Sequence, residues 1–392
     1  MSAQFVMCAR AVKNGAFISE PGPSMFLLIP EGERPSPKYA VPKPDLWFKK
    51  LRRAAVWGMD ARDGERERGD LLVFVHGFNN DQQLIMERHA QLRRDLTAAG
   101  YKGEVLSFDW PSNDKALNYM EDRHDAKITA MQLVTDGIRA LSAQQRPDCT
   151  INIHLLGHST GAYVIREAFD DADDARLANN GWAVSQIVFI AGDISASSME
   201  QGDSATDSLY RHCARITNYS NLYDSVLKLS NAKRLGVAPR VGRVGLPVEV
   251  STKAVNVDCT EYFALLNSNE EVKKVDQSTV LGSFDHSWHI GNQVFARDLF
   301  ETLRGDLDRA VIPTRSMNAD GKLKLTRFLG WVGGALPASR QKKPRVSGAV
   351  LRCTRSVREG KISDLLVWFS PRLKPQAAAR RFVHLTRQGR PQ

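Results

Sequence analysis

Residues 151–172 read INIHLLGHSTGAYVIREAFDDA, and their reading decides the fold. The first half is an apolar run of strand length, the second half has helical periodicity, and Gly157-His158-Ser159-Thr160-Gly161 joins them. A serine at so sharp a strand-to-helix turn needs glycine on both sides, where a Cβ would clash with the returning chain. Its hydroxyl then projects from the carboxyl edge of a sheet. The helix that follows turns free N–H groups and a positive dipole end toward any negative charge developing there. Ser159 is therefore a candidate nucleophile.

Outward from this turn the same alternation recurs. LLVFVHG (71–77), EVLSFDW (104–110), SQIVFIAGD (185–193), RITNYSN (215–221) and KAVNVD (253–258) read as strands, with helical patterns at 81–99, 119–144 and 290–305. Runs that are apolar on both faces need cover on both sides. The expected fold class is thus α/β, a mostly parallel central sheet with helices on both faces, over residues 65–312. Residues 1–64 read as an N-terminal extension. In it, Phe5–Val12 and Ser24–Pro30 form edge strands, a short amphipathic helix lies within 45–59, and a charged loop covers 64–70. Residues 313–392 read as a basic, poorly ordered tail.

Composition bounds the remaining classes. A chain of 392 residues, 42% of them hydrophobic, can bury one large core. No window reaches the ~20 apolar residues of a membrane span, and the start lacks the pattern of a signal peptide, so the expected address is cytoplasmic. Cysteines at 8, 149, 213, 259 and 353 show neither zinc nor redox spacing and read as reduced, mostly buried thiols. The net charge of +10 is unevenly spread: from Thr314 onward there are 18 Lys and Arg against 3 acids, so the preceding residues are net negative. That makes the tail a candidate for contact with an anionic surface, nucleic acid or membrane, although it carries no reader motif.

The chemistry needs partners for Ser159. His76-Gly77-Phe78 leaves the strand expected beside the serine turn, so the backbone N–H groups of Phe78 and Thr160 are the expected oxyanion hole. His76 itself reads as a strand-end residue bonded to loop backbone beside the site. Asp109 and Trp110, at the carboxyl end of another strand, either line the mouth of the site or form a capped turn with a packed indole. The order serine, acid, histidine leaves two acids, Asp224 in NLYDSVLKLS and Asp193 in AGDIS, with the loop after RITNYSN favouring Asp224. It also leaves two histidines in Asp285-His286-Ser287-Trp288-His289. His289 is expected at the N-terminus of a helix starting at Ile290, where the dipole disfavours an imidazolium, so His286 is the preferred base. His154, within a strand, and His158, beside the nucleophile, read as packing residues.

VFVHGFNN (73–80), SFDWPS (107–112), LLGHSTGAYV (155–164), NYSNLYDSVL (218–227) and DHSWHI (285–290) together resemble a bacterial α/β-hydrolase family of serine hydrolases of unknown function, distantly related to lipases and esterases. The resemblance covers about residues 65–310. It implies a triad of Ser159, Asp224 and His286, no metal and no organic cofactor, and it does not fix a substrate. Trp288 fits the family's aromatic after His-Ser, and the partner expected from the triad chemistry is a small-molecule acyl substrate. Ester, thioester and amide remain open, because loops build the pocket. Two rival readings are an inactive scaffold and a protein whose function lies in its basic tail.

Overall fold

In the computed structural model the described residues are 3–327, apart from 60–65, 79–80, 113–118, 144–148, 172–181 and 233–238. Eleven strands among them form one sheet: β1 (Ala3–Lys13), β2 (Ala16–Pro30), β3 (Val56–Met59), β4 (Glu67–Val75), β5 (Glu104–Asp109), β6 (Cys149–His158), β7 (Val184–Ile190), β8 (Cys213–Ser220), β9 (Ala254–Asp258), β10 (Arg315–Met317) and β11 (Leu323–Leu325). Their order is β10-β11-β9-β8-β7-β6-β4-β5-β1-β2, with β3 on the start of β4. Only the pairs β1/β2, β3/β4 and β10/β11 are antiparallel.

Side-chain alternation along β4 shows why both faces need helices. Leu71, Val73 and Val75 pack with Trp47 and Leu51 of helix Pro44–Ala55 and with Ile165 and Phe169 of helix Thr160–Asp171. Leu72 and Phe74 face the other core, with Leu92 and Leu96 of helix Gln82–Ala99 and Leu299 of helix Gln293–Arg304. Each fully buried side chain of this kind contributes about 1.5–3 kcal/mol. Cys8, Cys213 and Cys259 are free and buried. No described helix is long and apolar enough to cross a membrane.

The margins differ from the sequence reading. β1 is not an edge strand: its residues Phe5–Cys8 run parallel to Leu106–Asp109 inside the sheet, and β2 alone occupies that edge. β4 begins at Glu67, so half of the expected charged loop is strand. At the other end the sheet continues past residue 312, because β11 pairs with β9 and carries β10. A buried ionic knot ties this end to the rest of the sheet. The Arg315 guanidinium lies 2.6 Å from Asp298, and Asp298 also accepts from the hydroxyls of Tyr219 and Thr314, all without solvent contact for the ion pair. The strands before residue 65 and after 312 share one unit, Met1–Gly330, with the rest. The tail from residue 328 lies outside the described residues, as do Asn79 and Asn80 of the quoted motif.

Removing one member of a buried pair strands the other charge, at a cost of about 3–5 kcal/mol. Arg315→Met should therefore lower the free energy of unfolding in urea by that amount. A loss under about 1 kcal/mol would show that the C-terminal strands are ornamental.

Candidate active site

The sheet register sets the strand ends in a row. Val75 of β4 is opposite Gly157 of β6 and Phe108 of β5, while Ile190 of β7 pairs with His158 on one side and Tyr219 of β8 on the other. The residues just beyond these positions, His76, Asp109, Ser159, Asp193 and Asp224, therefore gather at one edge.

Ser159 has φ +55°, left-handed and strained for a residue with a side chain. Three backbone bonds hold it: its N–H donates to the Ile190 carbonyl (3.1 Å), and its carbonyl accepts from Asp193 N (3.0 Å) and Ala162 N (3.1 Å). The flanking glycines answer to contact. A Cβ on Gly157 would lie 2.7 Å from Ala162 Cα, and one on Gly161 would lie 2.1 Å from the Val75 carbonyl oxygen. Gly77 presses on the serine in the same way, since its Cβ would meet Ser159 Cβ at 2.7 Å. The segment His76-Gly77-Phe78 thus lies against Ser159, and Thr160 opens the helix that follows.

His286 and Asp224 are in direct contact: Nδ1 of the buried imidazole lies 2.7 Å from the buried Asp224 Oδ2. Asp224 Oδ1 accepts from Leu227 N at 2.8 Å, which fixes the carboxylate at the start of helix Ser225–Ala232. Asp193, the other candidate acid, pairs with Arg240 at 3.0 Å. His286 sits not in open loop but in a helical turn, Phe284–Ser287. Its carbonyl lies 3.3 Å from His158 Nε2, and the two rings are 5.0 Å apart, which brings His286 beside the residue preceding the nucleophile candidate. Burial, with the charges of Arg88, His286 and His289, pushes His158 well below the usual histidine range.

His289 differs from expectation. The helix after it starts at Gln293, with the Asn292 side chain capping Phe295 N at 2.9 Å, so His289 is not at a helix N-terminus. It is buried, stacked on Trp288 at 4.1 Å, with neither ring nitrogen hydrogen-bonded among the described residues. Burial, reinforced by the charge of His286, pushes it down to about 3. Asp109 and Trp110 are also buried, at 1% and 0% exposure, and both meet His76, with the indole packed on its ring. Burial lowers His76, against the pull of the Asp109 carboxylate. His154 packs in its strand, 3.2 Å from Asp70.

Several neighbours escaped the sequence reading. Arg88 Nη2 donates to the Leu281 carbonyl (2.5 Å) and Ser287 Oγ (3.2 Å), tying helix Gln82–Ala99 to the His286 turn. Asp285 accepts from Ser225 N at 2.8 Å, and the Asn221 amide donates to the Asp285 carbonyl at 3.1 Å. No local pattern marks these contacts, which join segments far apart in the chain, Asp285 and Ser225 by sixty residues.

The alpha/beta hydrolase family of unknown function DUF900 matches residues 60–280, more than half of the chain. The chain belongs to this family. The matched stretch holds Ser159 and Asp224 and ends before His286. Among solved structures, it is similar to phospholipase PlaB from Legionella pneumophila (14% identity, 41% of this chain and 40% of that one, TM-score 0.27). It is also similar to a dienelactone hydrolase from Anabaena variabilis (15%, 70% and 94%, TM-score 0.31) and to lipase B from Aspergillus fumigatus (12%, 64% and 55%, TM-score 0.29). The match thus spans about two fifths of the phospholipase's length. No curated protein matches. The family match and the strand order carry the assignment of an α/β-hydrolase fold.

The buried histidines predict a pH dependence. His89 and His289 are pushed down to about 3, in both cases chiefly by burial, whereas unfolded histidine titrates near 6.5. Between these values the unfolded chain binds more protons, so stability falls as pH drops from about 6.5 toward 3. The urea midpoint should decline between pH 7 and pH 4.5, and His289→Gln or His89→Asn should flatten that slope. Slopes identical to the parent chain would exclude these histidines as the cause.

Proposed function

We propose that this α/β-hydrolase is a serine hydrolase that cleaves an ester, or a related acyl bond, of a small-molecule substrate. The observation that carries the reading is the 2.7 Å contact between His286 Nδ1 and Asp224 Oδ2, beside a serine at φ +55° on a strand-to-helix turn. A carboxylate can only accept, so Nδ1 carries the hydrogen and Nε2 keeps the lone pair a general base needs. His286 takes the Ser159 proton as Oγ attacks the acyl carbon, and Asp224 steadies the imidazolium. His286 then returns the proton to the departing alcohol, leaving an acyl-serine. Water, deprotonated by the same imidazole, attacks this acyl group and releases the acid. The oxygen that turns negative in each tetrahedral intermediate is received by the N–H groups of Phe78 and Thr160, each such donor contributing about 3–4 kcal/mol to the transition state.

Residues of one triad act as a unit. On para-nitrophenyl acetate, Ser159→Ala and His286→Ala should each reduce kcat to below about a hundredth, and the double variant should be no slower than either. Losses that multiply would overturn the assignment.

Asp224→Asn should lower kcat by roughly 10³–10⁴ while the fold is kept, because the amide can present its N–H to the ring and impose the wrong tautomer. A decrease below about tenfold would remove Asp224 from the triad. A wild-type chain that neither hydrolyses activated esters nor takes up a fluorophosphonate would favour the scaffold reading.

A further inference from the structure

Behind the His76 loop lies a charge pair that the reaction above does not use. Arg10, on β1 and ahead of the stretch matched by the family, donates through Nε to Asp109 Oδ1 at 2.7 Å, and both side chains are buried. Its Nη1 donates to the Ser112 carbonyl at 3.3 Å. Asp109 Oδ2 accepts from Gln82 Nε2 (2.9 Å) and Cys8 Sγ (3.4 Å). Burial raises Asp109, but Arg10, His76 and Gln82 outweigh it and hold the carboxyl well below the usual range. Joining β1 to β5 does not require the pair, because the ladder from Phe5 to Cys8 already does that.

The pair reaches the site through His76. Its Nε2 lies 3.3 Å from Asp109 Oδ1, its ring stacks on Trp110 (centroids 5.4 Å apart, planes at 9°), and its carbonyl accepts from Trp110 Nε1 at 2.8 Å. Its Nδ1 is 2.9 Å from the Gly77 carbonyl oxygen, which can only accept, so Nδ1–H donates. Nε2 then meets Asp109 without a hydrogen bond, and Trp110, next to Asp109 in the chain, carries the link through its stacking and its Nε1–H. In a planar trans peptide the N–H points opposite to the C=O. Fixing Gly77 O therefore fixes the direction of the Phe78 N–H, in a peptide packed on Ser159.

We propose that Arg10 is a positioning residue for the oxyanion side of the site, acting through Asp109 and His76 on the Gly77–Phe78 peptide. This rests on the reading of the Phe78 N–H as an oxyanion donor. It makes an N-terminal strand outside the shared family region part of what aims the catalytic backbone.

The test uses the full chain as Arg10→Met and Arg10→Lys, with Asp109→Asn as a near-isosteric second route should Arg10→Met fail to fold. For Arg10→Met or Asp109→Asn, kcat on para-nitrophenyl acetate should fall about 10- to 100-fold with KM within about twofold. The Ki of a trifluoromethyl ketone, which binds as an oxyanion, should rise by the same factor. Arg10→Lys should recover most of the loss, and a crystal structure of the impaired variant should show the Gly77–Phe78 peptide rotated. A folded variant with a lower Tm but unchanged kcat and Ki would reduce the pair to a structural brace and overturn the proposal. If the wild-type chain hydrolyses no ester and takes no fluorophosphonate, the serine-hydrolase reading fails on its own. The peptide still decides the positioning claim, a rotated plane supporting it and an unmoved one overturning it.

Discussion

Around Ser159 the chain approaches itself so closely that side chains are excluded, and the arrangement of the sheet's carboxyl edge follows from this. Gly161 touches the Val75 carbonyl, Gly157 touches Ala162, and Gly77 touches Ser159 itself. On the far side of the turn, a Cβ on Gly242 would lie 2.2 Å from Gly192 N, two residues beyond the end of β7. Four backbone segments are thus stacked with nothing between them. A strained serine persists only where its surroundings over-determine it, and this stack leaves it no other place.

The candidate acid and base are held by a different device. Asp224 and His286 come from segments 62 residues apart, and nothing in either fixes their distance. Their loops are bonded to each other at the residues just before or after the functional ones. Asp285 caps the helix that begins after Asp224, and Asn221 holds the Asp285 carbonyl. Asp285 therefore locates His286 through the backbone it binds. Arg88 adds a third point from helix Gln82–Ala99.

What the sequence discloses follows from how far each interaction reaches. The strands around 71–75, 153–156 and 187–190 and the serine turn are written in local pattern: apolar runs buried on both faces, and glycines at fixed offsets. The contact of Asp224 with His286 is foreshadowed by their places after a strand and before a helix, although His286 lies in a helical turn and not in a loop. The helix start after His289 was misplaced by three residues because Gly291 and Asn292 cap the helix instead of continuing it. Arg10, Arg240 and Arg315 left no local trace, since each meets its acid only once the sheet is assembled. The margins were misread for the same reason: a short strand such as Leu323–Leu325 has no periodicity to display and owes its conformation to β9.

These three arginines share a geometry that explains their cost. Each pairs, inside the protein, with an Asp: Arg10 with Asp109 at the end of β5, Arg240 with Asp193 just after β7, and Arg315 with Asp298 beneath Tyr219 of β8. Desolvating such a pair offsets much of its attraction, so well-packed apolar residues would hold the fold as firmly. Apolar residues would also tolerate sliding, because dispersion has no direction. A buried guanidinium displaced from its carboxylate leaves two unsatisfied charges, so each pair admits a single placement of the segment that carries it. Two of the pairs pin segments beside the strained serine, Asp193 through its backbone bond to the Ser159 carbonyl and Asp109 through His76. The third pins the C-terminal strands to the helix that follows His289. What the pairs supply is position: a fixed place for the segments around the strained serine and for the C-terminal strands.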